Sequence, residues 1–196
     1  MAHPAPLILG FDTSGPYCAA ALLRGDMLLG AQVADMKRGQ AEALMPLLHD
    51  LLATHDATWR DLTALGVGIG PGNFTGIRIS VGAARGLALG LGIPAVGVST
   101  FQALSRDHDE PHQAAVPAPR DQLYLLDSGD ATPRLAPADE PSALPRHLPP
   151  ATPRLVHNIA LCALDGHQGP RHRPAPLYVK PADAAPPRDP APLILK

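Results

Sequence analysis

An α/β fold of element order βββαβαβα is predicted for the first half of this 196-residue chain by three observations. These are short apolar runs punctuated by turn residues, a leucine repeat of helical period, and a glycine-rich turn between a strand and a helix. Leu7 to Phe11 is a compact apolar run ending in Asp12-Thr13-Ser14. Cys18 to Leu23 and Met27 to Val33 flank a Gly25-Asp26 turn, so the three runs read as adjacent strands. Leu44, Leu47, Leu48, Leu51 and Leu52 recur at i, i+3, i+4, i+7 and i+8, which makes Gln40 to Thr54 an amphipathic helix. Ala64 to Ile69 reads as a strand, Thr75 to Leu91 as a helix, Ala95 to Val98 as a strand and Thr100 to Arg106 as the start of a helix. The crossovers are long enough for parallel pairing of the later strands. That is the order of a ribonuclease-H-like lobe.

Proline separates this half from the rest, for 18 of the 24 prolines lie after residue 105. Leu123 to Asp127, Leu155 to Ala163 and Leu177 to Lys180 read as strands or short helical pieces among proline-rich loops. The expected organisation is therefore an N-terminal lobe over 1–105, a small, degenerate second lobe over 106–184 and a flexible tail over 185–196. A formal charge of -2 without a Lys/Arg cluster is not the profile of a protein that grips RNA or DNA unaided. Two cysteines, Cys18 and Cys162, indicate neither a disulfide framework nor a Cys-rich zinc site, and read as reduced thiols of a cytoplasmic protein. No apolar stretch approaches the ~18 residues a membrane span needs, and the start has no basic segment before an apolar run.

Gly70-Pro71-Gly72-Asn73-Phe74-Thr75-Gly76 has the look of a phosphate loop, yet fits neither standard template. A P-loop continues from its last glycine into Lys and Ser or Thr, where this chain has Ile77-Arg78; the dinucleotide fingerprint fails because Pro71, Asn73 or Thr75 stands where its third glycine belongs. What remains is a tight turn and a helix opened by Asn73 or Thr75, whose free N–H groups make Gly70, Gly72, Asn73, Phe74, Thr75 and Gly76 a candidate anion site. A strand-to-helix turn that binds nothing is equally consistent with the spacing.

In the helix that follows, Gly82, Gly86 and Gly90 are spaced by four among Ala83, Ala84 and Ala88. Each glycine inside a helix costs about 1 kcal/mol relative to alanine. Three of them call for a compensating close contact, either with the sheet beneath or with another helix.

Gly70-Pro71-Gly72-Asn73-Phe74-Thr75-Gly76-Ile77-Arg78, the stretch Gly86-Leu87-Ala88-Leu89-Gly90 and Val96-Gly97-Val98-Ser99-Thr100 together resemble the TsaB family, bacterial tRNA threonylcarbamoyladenosine biosynthesis proteins. Phe11-Asp12-Thr13-Ser14 fits the family's opening strand, and Pro176-Leu177-Tyr178-Val179-Lys180 is similar to its closing segment. The resemblance is dense from about residue 7 to 104. It implies an actin-like ATPase (ASKHA) fold of two lobes, as in sugar kinases and Hsp70, in a member without catalytic residues. It also implies a scaffold role for TsaD, the paralogue expected to carry ATP, metal and the transfer chemistry, with no cofactor of the chain's own. TsaE joins a larger complex on this reading, tRNA is met only through the complex, a homodimer is a further candidate, and no membrane is involved. Partner-interface candidates are Arg78, Gly82, Arg85, Gly86 and Leu89. The chain departs from the family where Asp-Ala-Arg-x-Gly-Glu-Val-Tyr is replaced by Pro117-Ala118-Pro119-Arg120-Asp121-Gln122-Leu123-Tyr124.

Asp12 follows the first strand, where ATPases of this fold hold a carboxylate near magnesium; it is a candidate vestigial nucleotide site, though a strand-end aspartate more often closes a turn on its own backbone. His108-x-x-x-His112 imitates a helical zinc pair, but Pro111 interrupts the helix the pair would need, so no metal site is expected. Arg78 and Arg85 share a helical face and either pair with acidic groups across an interface or stay solvated. The reading of a different class is a small-molecule kinase, ATPase or peptidase-like enzyme of the same fold.

Overall fold

The computed structural model describes residues 4–170 and 172–179. Strands β1 (Leu7–Asp12), β2 (Tyr17–Arg24) and β3 (Met27–Asp35) are followed by α1 (Gln40–Thr54), β4 (Ala64–Gly68), α2 (Phe74–Leu91), β5 (Ala95–Val98) and α3 (Thr100–Ser105). They form the expected order of elements. The sheet runs β3-β2-β1-β4-β5, antiparallel among the first three strands and parallel from β1 through β4 to β5. Turns can join β1, β2 and β3 because they are antiparallel neighbours, whereas the β1–β4 and β4–β5 pairings need the crossovers through α1 and α2.

Every residue of β1 is buried, because helices cover both faces of the sheet. On one face, Leu44, Leu48, Leu51 and Leu52 of α1 with Ile77, Val81 and Ala84 of α2 close over Leu9, Phe11, Leu22, Leu65 and Val67. On the other lies α4 (Thr152–Gly166), whose Val156, Ala160 and Ala163 pack on Ile8, Ala19, Ala21 and Ala64. The approach is tight: a Cβ on Gly10 would stand 2.7 Å from that of Ala160, and one on Gly66 2.8 Å from that of Ala163. Leu155 to Ala163 is thus helix, and it belongs by packing to the sheet of the first half.

Beyond α3 a second sheet runs β8-β7-β6-β9, from β6 (Gln113–Ala118), β7 (Gln122–Asp127), β8 (Arg134–Pro137) and β9 (Arg146–His147). Leu123 to Asp127 falls inside β7. The β6–β7 hairpin is closed by Pro119-Arg120-Asp121, with Arg120 and Asp121 at φ +63° and +51°. Such backbone normally selects Asn or Gly, so the usual hairpin signal is missing from the sequence. Residues 177–179 have no regular secondary structure; Lys180 and the tail expected over 185–196 lie outside the described residues.

Candidate functional site

The glycine face of α2 is open. Among the described residues a Cβ built on Gly82, Gly86 or Gly90 would meet nothing within 4 Å, so the sheet beneath is not the contact that offsets them. The face that meets the sheet is carried instead by Gly76, Ile77, Ser80, Val81 and Ala84. Beside the glycines Leu89 is 86% exposed, so an apolar side chain stands next to the bare stretch of backbone.

Arg78 and Arg85 are neither paired with acids nor simply solvated. The Arg85 Nε donates to the Pro174 carbonyl at 2.7 Å, and the Arg78 Nε donates to the Tyr178 hydroxyl at 3.3 Å. The Arg78 guanidinium also lies 4.1 Å above the Phe74 ring, which stacks on Tyr178 at 4.8 Å between centroids. The two arginines therefore strap residues 174–178 along α2, contacts that sequence spacing could not reveal across 89 and 100 positions.

The glycine-rich turn is shaped by its neighbour strand. Gly70 takes φ +95°, and Asn73 caps α2, its Oδ1 accepting from the Gly76 amide at 2.8 Å. The Asn73 amide donates to the Ser14 carbonyl at 2.7 Å, and the Thr13 hydroxyl donates to the Gly76 carbonyl at 2.7 Å. A side chain on Gly72 would come 2.6 Å from the Ser14 carbonyl oxygen, and one on Gly76 would collide with that of Thr13. These glycines let two backbones touch, and the amides of Asn73 and Gly76 are spent inside the protein.

Asp12 sits within the same contact. Its Oδ1 accepts from the Ser14 amide at 3.1 Å, and its Oδ2 accepts from the Ser14 and Tyr17 hydroxyls, each at 2.7 Å. Burial raises its pKa above the ordinary carboxylate value against the opposing pull of these hydrogen bonds, and burial together with the Asp12 charge pushes the Tyr17 phenol up. A cleft of about 800 Å³ opens between the two sheets, lined by Ser14, Tyr17, Lys37, Asn73 and Tyr124 among others, but Asp12 is not part of its wall.

His108 and His112 are not on a helix. The His112 ring is held by the Ser105 hydroxyl at Nε2 and by the Glu110 carbonyl at Nδ1, both at 2.8 Å. His108 stacks instead on His147 of β9, 3.7 Å between centroids; burial, then the neighbouring His147 and His112, lowers its pKa. Among the described residues no group of three or more His, Cys, Asp and Glu could hold a metal ion, both cysteines are free thiols, and no helix is long and apolar enough to cross a membrane.

The family model of TsaD, described as tRNA N6-adenosine threonylcarbamoyltransferase, matches residues 34–138, more than half of the chain. The chain belongs to the TsaD family. Within that family it is homologous to TsaB. It is 38% identical over 99 residues to the tRNA threonylcarbamoyladenosine biosynthesis protein TsaB of Escherichia coli, a match covering 50% of this chain and 42% of that protein. To TsaB of Haemophilus influenzae it is 33% identical over 124 residues, 60% of this chain and 52% of that protein. The chain thus spans about half the length of the curated relatives it matches. A solved structure from Pseudomonas aeruginosa, described as an uncharacterized protein with similarity to peptidase YEAZ, superposes with a TM-score of 0.69 at 24% identity. It covers 89% of this chain and 100% of that one, a likeness of fold.

Proposed function

We propose that this chain is a non-catalytic subunit for threonylcarbamoyl transfer to the adenosine next to the tRNA anticodon, and that it acts by docking TsaD on the N-lobe helices, chiefly the open face of α2. The observation that carries the reading is the empty space over Gly82, Gly86 and Gly90. Three helical glycines cost about 3 kcal/mol relative to alanine, and no contact within the described residues offsets it. A partner helix approaching backbone to backbone supplies the missing contact, with Leu89 as its apolar neighbour. The similarity to TsaB supports the same role.

On this reading the fold is the two-lobed actin-like type. The lobes divide after residue 105: the sheet of β6 to β9 is the core of the second lobe expected over 106–184, while α4, though within that range, packs with the first lobe, and residues 180–184 lie outside the described residues. Asp12 and the loop from Gly70 to Gly76 serve to join β1 to α2, and ATP, metal and tRNA are handled by TsaD and the larger complex with TsaE. The protein works in the cytoplasm, and without TsaD the α2 face pairs two copies of the chain.

Reconstitution tests the proposal. TsaD with its other partners should form threonylcarbamoyladenosine on tRNA only when this chain is added, and the isolated chain should gain no thermal stability from Mg-ATP, since a ligand that binds the native state raises its melting temperature by mass action. ATP turnover by the clean, isolated chain would sink the scaffold reading in favour of a kinase or ATPase.

A further inference from the structure

A pocket of about 540 Å³ lies where the C-terminal ends of α2 and α4 meet the edge strand β5, roofed by the segment that Arg85 straps down. Its floor is apolar, made by Ala88, Ile93, Pro94 and Val96. Its rim is basic: Arg85, His167, His172 and Arg173 line it, and no Asp or Glu does among the described residues.

Two of these groups have local duties. His167 follows α4 and its Nδ1 meets the Leu164 carbonyl at 2.5 Å, a helix-end contact that needs no ligand. The Arg85 Nε is held by Pro174, and among the described residues the two terminal nitrogens of its guanidinium make no hydrogen bond. Arg173 is exposed, and the ion pairs among the described residues, Arg106–Asp165, Arg134–Glu140 and Arg154–Asp107, include neither it nor Arg85.

We propose that this pocket receives an acidic peptide segment with an apolar anchor side chain, presented by the partner that covers the α2 face. The apolar floor selects the anchor, and the basic rim, which has no acidic counterpart among the described residues, selects its charge. Position selects the source, because Arg85 and Leu89 belong both to the pocket wall and to the α2 surface beside Gly82, Gly86 and Gly90. A helix lying along those glycines runs on into the pocket mouth. The inference rests on the scaffold reading and deepens it, naming the chemistry of the partner at the end of the interface.

The test is the affinity for TsaD at low and high salt, measured for the wild type, Arg173→Glu, Leu89→Asp and Gly86→Leu. Arg173 and Leu89 are exposed, so folding is spared, which circular dichroism and melting temperature check. Arg173→Glu should weaken binding on the order of tenfold at low salt, with a gap that closes as salt rises. Leu89→Asp should weaken it at every salt concentration. A small apolar anion, 8-anilinonaphthalene-1-sulfonate, gives a direct readout: it should bind the free wild type, bind Arg173→Glu less well, and leave when TsaD is added. If Arg173→Glu and Leu89→Asp both bind TsaD like the wild type while Gly86→Leu does not, the pocket inference fails and the scaffold reading stands. If all three variants bind normally, both fail. If the dye stays in its site in the TsaD complex, the pocket serves a small anion and the proposed peptide is wrong.

Discussion

Gly86 allows stability and binding to be driven in opposite directions by two substitutions, to Ala and to Leu. Helical alanine is favoured over glycine by about 1 kcal/mol. Among the described residues nothing lies within 4 Å of a Cβ at this position, so no clash within them offsets the gain. Gly86→Ala should therefore raise the stability of the monomeric chain by about 0.5–1 kcal/mol, which for a domain of this size is a rise in melting temperature of about 1–4 °C. In the complex the sign reverses. Gly86→Leu places a branched side chain where two backbones are to approach, and overpacking of that kind costs about 1–3 kcal/mol. That corresponds to roughly tenfold to hundredfold weaker binding of TsaD. Calorimetric titration against TsaD and thermal melts of the free variants measure the two quantities, and light scattering after size exclusion should show the free Leu variant shifted toward monomer. Two results refute the reasoning: a lowered melting temperature for monomeric Gly86→Ala, measured at a dilution where light scattering shows no pairing of copies, would mean the chain itself covers the face, and unchanged TsaD affinity for Gly86→Leu would mean no helix packs there. The interface would then be sought on the exposed side of α1.

Gly10→Ala should behave oppositely to Gly86→Ala, because its Cβ would stand 2.7 Å from that of Ala160; a loss of about 1–3 kcal/mol in urea denaturation is expected. Asp12→Asn should leave complex-dependent tRNA modification within a few-fold of wild type, and a loss of about a hundredfold with the fold intact would reveal a working carboxylate. His108 has a lowered pKa in the fold, so the unfolded chain binds the proton more readily and stability falls as pH drops from above 6.5 toward the folded value. His157, lowered chiefly by burial, acts in the same direction. A His108→Gln variant should show a shallower decline in urea midpoint between pH 7 and pH 5, and an unchanged slope would show that the fold does not lower the His108 pKa.

Local chemistry decided much of this fold before any neighbour was known. The leucine period places α1 at Gln40–Thr54, and Asn73, able to accept from a free amide, opens α2. Both signals are carried by residues a turn or two apart, which is why they are legible in one dimension. The glycines of α2 announced an unusual contact in the same way, but not with what; their open space is visible only once the rest of the chain is folded around Ile77, Val81 and Ala84. Leu155 to Ala163 was ambiguous as a short apolar run, and it becomes a helix on the far face of the first sheet because Gly10 and Gly66, some hundred and fifty and ninety-seven positions before Ala160 and Ala163, leave room for it. The β6–β7 hairpin carries no glycine or asparagine to mark its left-handed turn, and its strands are held by long-range pairing with β8 and β9. The grip of Arg78 and Arg85 on residues 174–178, and the pocket beneath it, likewise depend on side chains that meet only after the chain returns to α2. Periodicity and capping are properties of a segment, whereas close packing, burial of Asp12 and the exposure of Leu89 are properties of what surrounds it, and only the tertiary structure supplies those surroundings.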